Sequence, residues 1–179
     1  MKTHPRAQQG FSLTEVMVAV IVICIGLLGI AKMQALSLSN STTARLRSLA
    51  AIEAASLASA MHSNRNYWGG AAPPTNTTLN AGAVASTDPA LVANLGFSCF
   101  NAACTPVQLA SFDLNRWVLS LQGLLPNPTA TIACPPVANA PVSCTILIRW
   151  TEKSVALTAQ EVGQANQIQT PDYLLYVEP

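Results

Sequence analysis

The chain has 179 residues, of which 50% are hydrophobic and only 9% are charged, and its formal net charge is +1. Ordinary domains carry about 25% charged residues, and a chain with so few, dispersed cations offers no electrostatic surface for nucleic acid. The residues that follow position 31 are enough for one modest domain with its own core.

The N-terminal part of the chain divides into a polar, basic leader and a long apolar run. Residues 1–10 form the leader and include Lys2 and Arg6, whereas residues 11–31 contain Glu15 as their only charged residue. As a helix the run would rise about 32 Å, which is enough to cross a hydrocarbon core of about 30 Å. Because positive residues precede the run, we expect a single membrane crossing with a cytoplasmic N-terminus.

Amphipathic periodicity extends the predicted helix through residues 32–62. One face of this continuation carries residues at steps of three and four, namely Leu46, Leu49, Ala50, Glu53, Leu57, Ala60 and Met61. A helix from residue 11 to about residue 62 would be about 78 Å long. A domain of this size cannot cover such a helix, so its first half must be buried in lipid or among similar helices.

Residues 63–179 are expected to form a globular head domain. Within it, residues 69–89 are rich in Gly, Pro, Asn and Thr, which predicts an irregular surface loop. A second helix with an apolar stripe is expected from Leu109, with Ser111 or Asp113 as its N-cap.

The C-terminal third of the chain has the pattern of strands. They are predicted at residues 129–135, 143–153, 154–160 and 172–179. In the second of these, Ile146, Ile148 and Trp150 are expected on one face of the strand. The order of a long helix, a loop, a helix and an antiparallel sheet predicts an α+β fold.

Four of the five cysteines form two pairs that are close in sequence, Cys99/Cys104 and Cys134/Cys144. Their spacing is not that of a zinc ribbon or a thioredoxin-like site. Two local disulfides in an oxidising compartment are therefore favoured over a metal site, and four reduced, buried cysteines are the alternative. Connectivity stays open, because four cysteines allow three pairings.

The sequence contains no constellation typical of an active site. The two histidines, His4 and His62, are far apart, the acidic residues are scattered, and GxSxG is absent. No short stretch offers the three or more carboxylates that calcium prefers. We therefore predict that the chain is not an enzyme and needs no metal or other cofactor.

The leader differs from an ordinary signal peptide, in which the small-residue cleavage site follows the apolar region. Here the small residue, Gly10, precedes the apolar region. A cut after Gly10 would remove both leader cations and leave the apolar helix on a mature chain that begins at Phe11. The N-terminus is thus predicted to be the substrate of a processing enzyme.

The stretch KTHPRAQQGFSLTEVMVAVIVICIGLLGIAKMQ, residues 2–34, resembles the class III signal sequence of type IV pilins and pseudopilins. The elements that carry the resemblance are the short basic leader, Gly10, Phe11, Glu15 and the apolar residues that follow. The resemblance implies cleavage between Gly10 and Phe11 by prepilin peptidase, and N-methylation of Phe11. It also implies a pilin fold, in which a long N-terminal helix packs on a small antiparallel β-sheet with a second short helix.

Two further stretches, residues 112–127 and 145–153, resemble the second helix and a strand of minor pilins. This resemblance implies a minor pilin that helps to prime pilus assembly and form the tip complex, and so supports adhesion or motility. The implied partners are prepilin peptidase, other minor pilins, the major pilin and a tip adhesin. The implied location is the inner membrane, in contact with its lipid and with a periplasmic head, and then the pilus.

Two alternatives stay open. A minor pseudopilin of a type II secretion system would have nearly the same N-terminus. A single-span membrane enzyme or periplasmic binding module is the alternative from another class, and it would need a reactive constellation or ligand pocket in residues 63–179.

Glu15 is predicted to be an assembly contact. A carboxylate within the membrane is costly unless it is paired, and the next side-chain cation of the mature chain is Lys32. The expected partner is the α-ammonium group of Phe11, from the same chain or a neighbouring subunit. The alternative is a carboxyl group near the lipid headgroups that is solvated or protonated.

Overall fold

The computed structural model describes residues 12–70, 73–136, 140–153 and 168–179. The helices are α1 (Leu13–Ser63), α2 (Arg65–Trp68), α3 (Pro89–Ala93) and α4 (Pro106–Leu124). The strands are β1 (Asn76–Asn80), β2 (Ala83–Ser86), β3 (Thr129–Ala133), β4 (Cys144–Arg149), β5 (Glu152–Lys153), β6 (Ile168–Gln169) and β7 (Asp172–Val177). The chain divides into two units, Met1–Ser41 and Thr42–Pro179.

The first unit is described from residue 12 and consists of the N-terminal part of α1. Its large apolar side chains are 53% to 75% exposed from Leu13 to Met33. A continuous apolar surface of this kind is normally covered by lipid or by other protein. The helix is long and apolar enough to cross a membrane.

The second unit is built on a five-stranded sheet in the order β2-β1-β3-β4-β7, and every neighbouring pair is antiparallel. Strands β5 and β6 form a separate two-stranded sheet. Alternate residues of β3 and β4, including Ile132, Ile146 and Ile148, are buried in one core with α4 and the C-terminal part of α1. The predicted α+β fold is confirmed.

The amphipathic face predicted for the second part of α1 also lies in this core. Ala50, Glu53, Leu57 and Met61 are buried, and Leu46 and Leu49 pack against the core. Helix periodicity was sufficient here because one face of this part of the helix lies in the core while the opposite face is exposed.

The start predicted for the second helix is wrong. Helix α4 begins at Pro106, and its N-cap is Thr105, whose hydroxyl accepts a hydrogen bond from the backbone N–H of Gln108. The Gln108 side chain accepts one from the Thr105 backbone N–H, which completes a capping box. Ser111, one of the expected caps, lies inside the helix and donates to the carbonyl of Leu91.

The prediction of an irregular loop at residues 69–89 is also wrong for residues 76–86. These residues form the hairpin of β1 and β2, which supplies two strands of the main sheet. The turn residues Ala81 and Gly82 both have positive φ, at 47° and 84°. This conformation matches the twist of a two-residue hairpin and is favoured by glycine.

The predicted strand at residues 143–153 is divided in two. Strand β4 ends at Arg149, and Glu152 and Lys153 pair with β6. The buried Trp150 between them donates from Nε1 to Glu152 Oε1 at 2.9 Å. The strand predicted at residues 154–160 lies outside the described residues.

Candidate functional site

The predicted processing site and the predicted assembly contact lie at the N-terminal end of the chain. Gly10 and Phe11 are outside the described residues, whereas Glu15 lies in the first turn of α1. The backbone N–H of Glu15 donates to the carbonyl of Ser12 at 3.1 Å. The helix dipole favours a negative side chain at this end.

The Glu15 side chain is exposed. No hydrogen bond or ion pair of its carboxylate occurs within the described ranges. The next side-chain cation, Lys32, is about 26 Å further along the helix axis. Within the described residues the carboxylate thus has no side-chain cation as a partner, and its neighbours include the exposed apolar residues Val16 and Met17. Any apolar environment that covers this segment must also accommodate the charge.

Two disulfides join the cysteine pairs of the head. Cys99–Cys104 closes a short loop before α4, and Cys134–Cys144 links the residue after β3 to the first residue of β4. Cys134 and Cys144 are fully buried. Cys24 is free and exposed on α1.

We expect the double variant Cys134→Ala/Cys144→Ala to lose about 2–3 kcal/mol of unfolding free energy, because the bridge restricts the unfolded chain and lies in the core. Urea unfolding of the detergent-solubilised chain, followed by tryptophan fluorescence, measures the loss. The matched variant Cys99→Ala/Cys104→Ala opens the shorter loop, whose cysteines are not fully buried, and should lose less. A larger loss in the matched variant would contradict this ranking.

Hydrogen bonds between distant residues fix the head around the tryptophans. Trp117 of α4 donates from Nε1 to the carbonyl of Glu53 in α1 at 2.9 Å. Arg47 of α1 pairs with Glu152 at 3.4 Å, and Glu152 also accepts the bond from Trp150. These polar contacts could not be predicted from the sequence, because Trp117 and Glu53 are more than 60 residues apart in the chain.

The described residues contain no group of three or more His, Cys, Asp or Glu side chains that could hold a metal ion. Burial, together with the hydrogen bond to Asp88, raises the pKa of Tyr67. Asp88 at the same time caps α3 through the backbone N–H of Ala90. The hydrogen bond between Tyr67 and Asp88 joins α2 to the end of the β1–β2 hairpin, so the role of this pair is structural.

Comparison with known families identifies a match in the N-terminal part of the chain. Residues 5–31 match the prokaryotic N-terminal methylation motif. No curated protein and no solved structure matches the chain significantly. The matched segment contains Gly10, Phe11 and Glu15 together with the N-terminal part of α1, the part whose apolar side chains are exposed.

The motif is a prepilin-type signal of structural proteins, and it implies processing by prepilin peptidase and assembly with other pilin-like subunits. Together with the apolar helix it indicates single-pass membrane anchoring. The segment that matches and the α+β fold that follows it support the assignment of the chain to the class of type IV pilins and pseudopilins.

Proposed function

We propose that the chain is a minor type IV pilin, most similar to the minor pilin PilV, that takes part in priming pilus assembly and forming the tip complex. The observation that carries the proposal is the methylation motif at residues 5–31, which leads into a helix with an exposed apolar surface. Such a surface suits a subunit that lies in lipid first and against other helices later.

Processing is proposed between Gly10 and Phe11, followed by N-methylation of Phe11. The cut removes Lys2 and Arg6, which are the charges that hold the leader on the cytoplasmic side. The two disulfides of the head support an oxidising compartment for it. The proposed course is therefore insertion into the inner membrane with a periplasmic head, and then transfer to the pilus.

The proposed partners are prepilin peptidase, other minor pilins, the major pilin and a tip adhesin, with inner-membrane lipid before assembly. The resemblance of α4 and β4 to minor-pilin segments favours a pilin over a pseudopilin. In the structure Trp117 of the first segment and Trp150 of the second are buried and make the hydrogen bonds that fix the head. Substitution of either tryptophan would therefore destabilise the head, and any effect on assembly would follow from that loss of stability.

Deletion of the encoding gene tests the proposal against the pseudopilin alternative. We expect a strong reduction of surface pili with normal export of secreted enzymes, restored by the wild-type gene on a plasmid. Electron microscopy of surface pili and an activity measurement on culture supernatants provide the two readouts. Normal pili with retained exoenzymes inside the cell would contradict the pilin proposal and favour the pseudopilin.

A further inference from the structure

A polar groove lies on the head between α1 and α4. Its volume is about 320 Å³, and its lining includes Glu53, Phe112, Asp113, Arg116 and Ser120. All of these residues belong to the unit Thr42–Pro179. The processing signal lies elsewhere in the chain, so the proposed function has not used this surface.

Glu53 presents a buried carboxylate to the groove. The residue is only 8% exposed, and its Oε1 atom accepts a hydrogen bond from Ser120 Oγ at 2.8 Å. The Oε2 atom has no hydrogen-bond or ion-pair partner among the residues the structure describes. No fully buried side-chain oxygen of those residues lacks a partner, so Oε2 retains access to solvent, and it does so through the groove that Glu53 lines.

The other charges of the groove leave Glu53 uncompensated. Arg116 lies over the rings of Phe100 and Phe112, with its guanidinium carbon 5.2 Å and 5.7 Å from their centroids. Burial raises the pKa of Asp113, and the charge of Arg116 opposes that rise. The groove thus contains two carboxylates and one cation, and Ser120 is the only group bonded to the Glu53 side chain within the described ranges.

We propose that this groove is a docking site for an arginine side chain of a partner protein. A guanidinium group has five donors in a planar fork, which suits the free carboxylate oxygen of Glu53 and the nearby Asp113. A buried carboxylate without an ion-pair partner is unfavourable, and Glu53 has no such partner among the described residues. A cation that enters the groove would therefore supply this interaction. A divalent metal would instead need more oxygen ligands than the two carboxylates offer beside Arg116.

A protein partner fits better than a free small cation, because apolar surface borders the groove. Phe100 is 70% exposed and contacts Phe112 edge to face at 5.0 Å. It lies in the loop closed by Cys99–Cys104, which holds the ring beside the groove. Residues that flank the docked arginine would cover this ring, as aromatic side chains commonly contribute to protein interfaces.

The test uses the full chain in zwitterionic detergent micelles and records the tryptophan indole N–H signals by NMR. The probe is the peptide acetyl-Phe-Arg-Gly-amide, and its matched control carries citrulline, a neutral isostere, in place of arginine. Because Trp117 donates to the Glu53 carbonyl, we expect a saturable shift of its signal with the arginine peptide only. Equal shifts with both peptides would overturn the proposal.

Variants separate the groove from other acidic sites. Glu53→Gln should weaken binding of the arginine peptide by about tenfold or more, while Glu178→Gln, which removes the same charge from an exposed position, should leave it unchanged. If Glu53→Gln fails to fold, Phe100→Ala serves as the second variant, and it should weaken the binding of the peptide more than the binding of arginine amide. Unchanged binding by the folded variants, or equal affinity of wild type for the peptide and for arginine amide, would overturn the protein-docking proposal.

Discussion

Gly10→Leu is expected to leave the chain at its precursor mass, with its leader attached and Phe11 unmethylated. The proposed cut follows Gly10, and the absence of a side chain allows the backbone to approach the peptidase closely. A branched side chain next to the scissile bond removes that access. The measurement is a denaturing gel of the membrane fraction, with the N-terminus of the band identified by mass spectrometry.

The matched control is Gln9→Leu, which places the same side chain one residue earlier and should still be processed. Uncleaved chains keep Lys2 and Arg6, so we also expect Gly10→Leu to remain in the membrane and be absent from sheared pili. Protein of mature size from Gly10→Leu would contradict the assignment of the cut. Loss of cleavage in Gln9→Leu as well would show only that a large side chain at either position prevents processing.

The parts of the fold that could be predicted are those fixed by local periodicity. The steps of three and four around Leu57 and the alternation around Ile146 each describe an element with one face in the core, and the structure buries those faces. The motif at the N-terminus is likewise local, because the peptidase acts on a short segment. These signals need no knowledge of which elements become neighbours.

The features that were missed depend on turn chemistry or on distant contacts. The β1–β2 hairpin rests on the turn at Ala81 and Gly82, where a glycine-rich composition indicated only a loop. Helix α4 begins earlier than its apolar stripe, because Thr105 and Gln108 form a capping box. The groove could not be predicted, since Glu53 and Ser120 are brought together by tertiary packing.

Glu53 is an acidic residue on the predicted buried face of α1, and the sequence alone did not indicate its role. A charged residue on the predicted buried face of a helix is unusual, and periodicity placed Glu53 there. Its partners are a hydroxyl from α4 and, through its carbonyl, the indole of Trp117. Only the packing of α4 on α1 shows that one carboxylate oxygen of Glu53 has no bonded group among the described residues.

Glu15→Leu is expected to be processed normally and yet to be lost from pili by about tenfold or more. The proposed cut lies between Gly10 and Phe11, which the substitution does not change. Incorporation, by contrast, depends on the proposed pairing of the Glu15 carboxylate with an α-ammonium group of Phe11, which fixes the axial position of the subunit. The measurement is the ratio of this chain in sheared pili to its mature form in the membrane.

Two controls distinguish the loss of the Glu15 charge from a change in the apolar surface of the helix. Val16→Leu changes an exposed apolar neighbour without altering the charge and should be incorporated normally, whereas Glu15→Gln keeps the shape of the side chain and should be lost like Glu15→Leu. If the carboxylate is only solvated near the headgroups, its replacement by leucine would make the helix more favourable in the membrane. That alternative therefore predicts normal or better incorporation. Efficient recovery of Glu15→Leu in pili would therefore refute the pairing and favour the solvated carboxyl group.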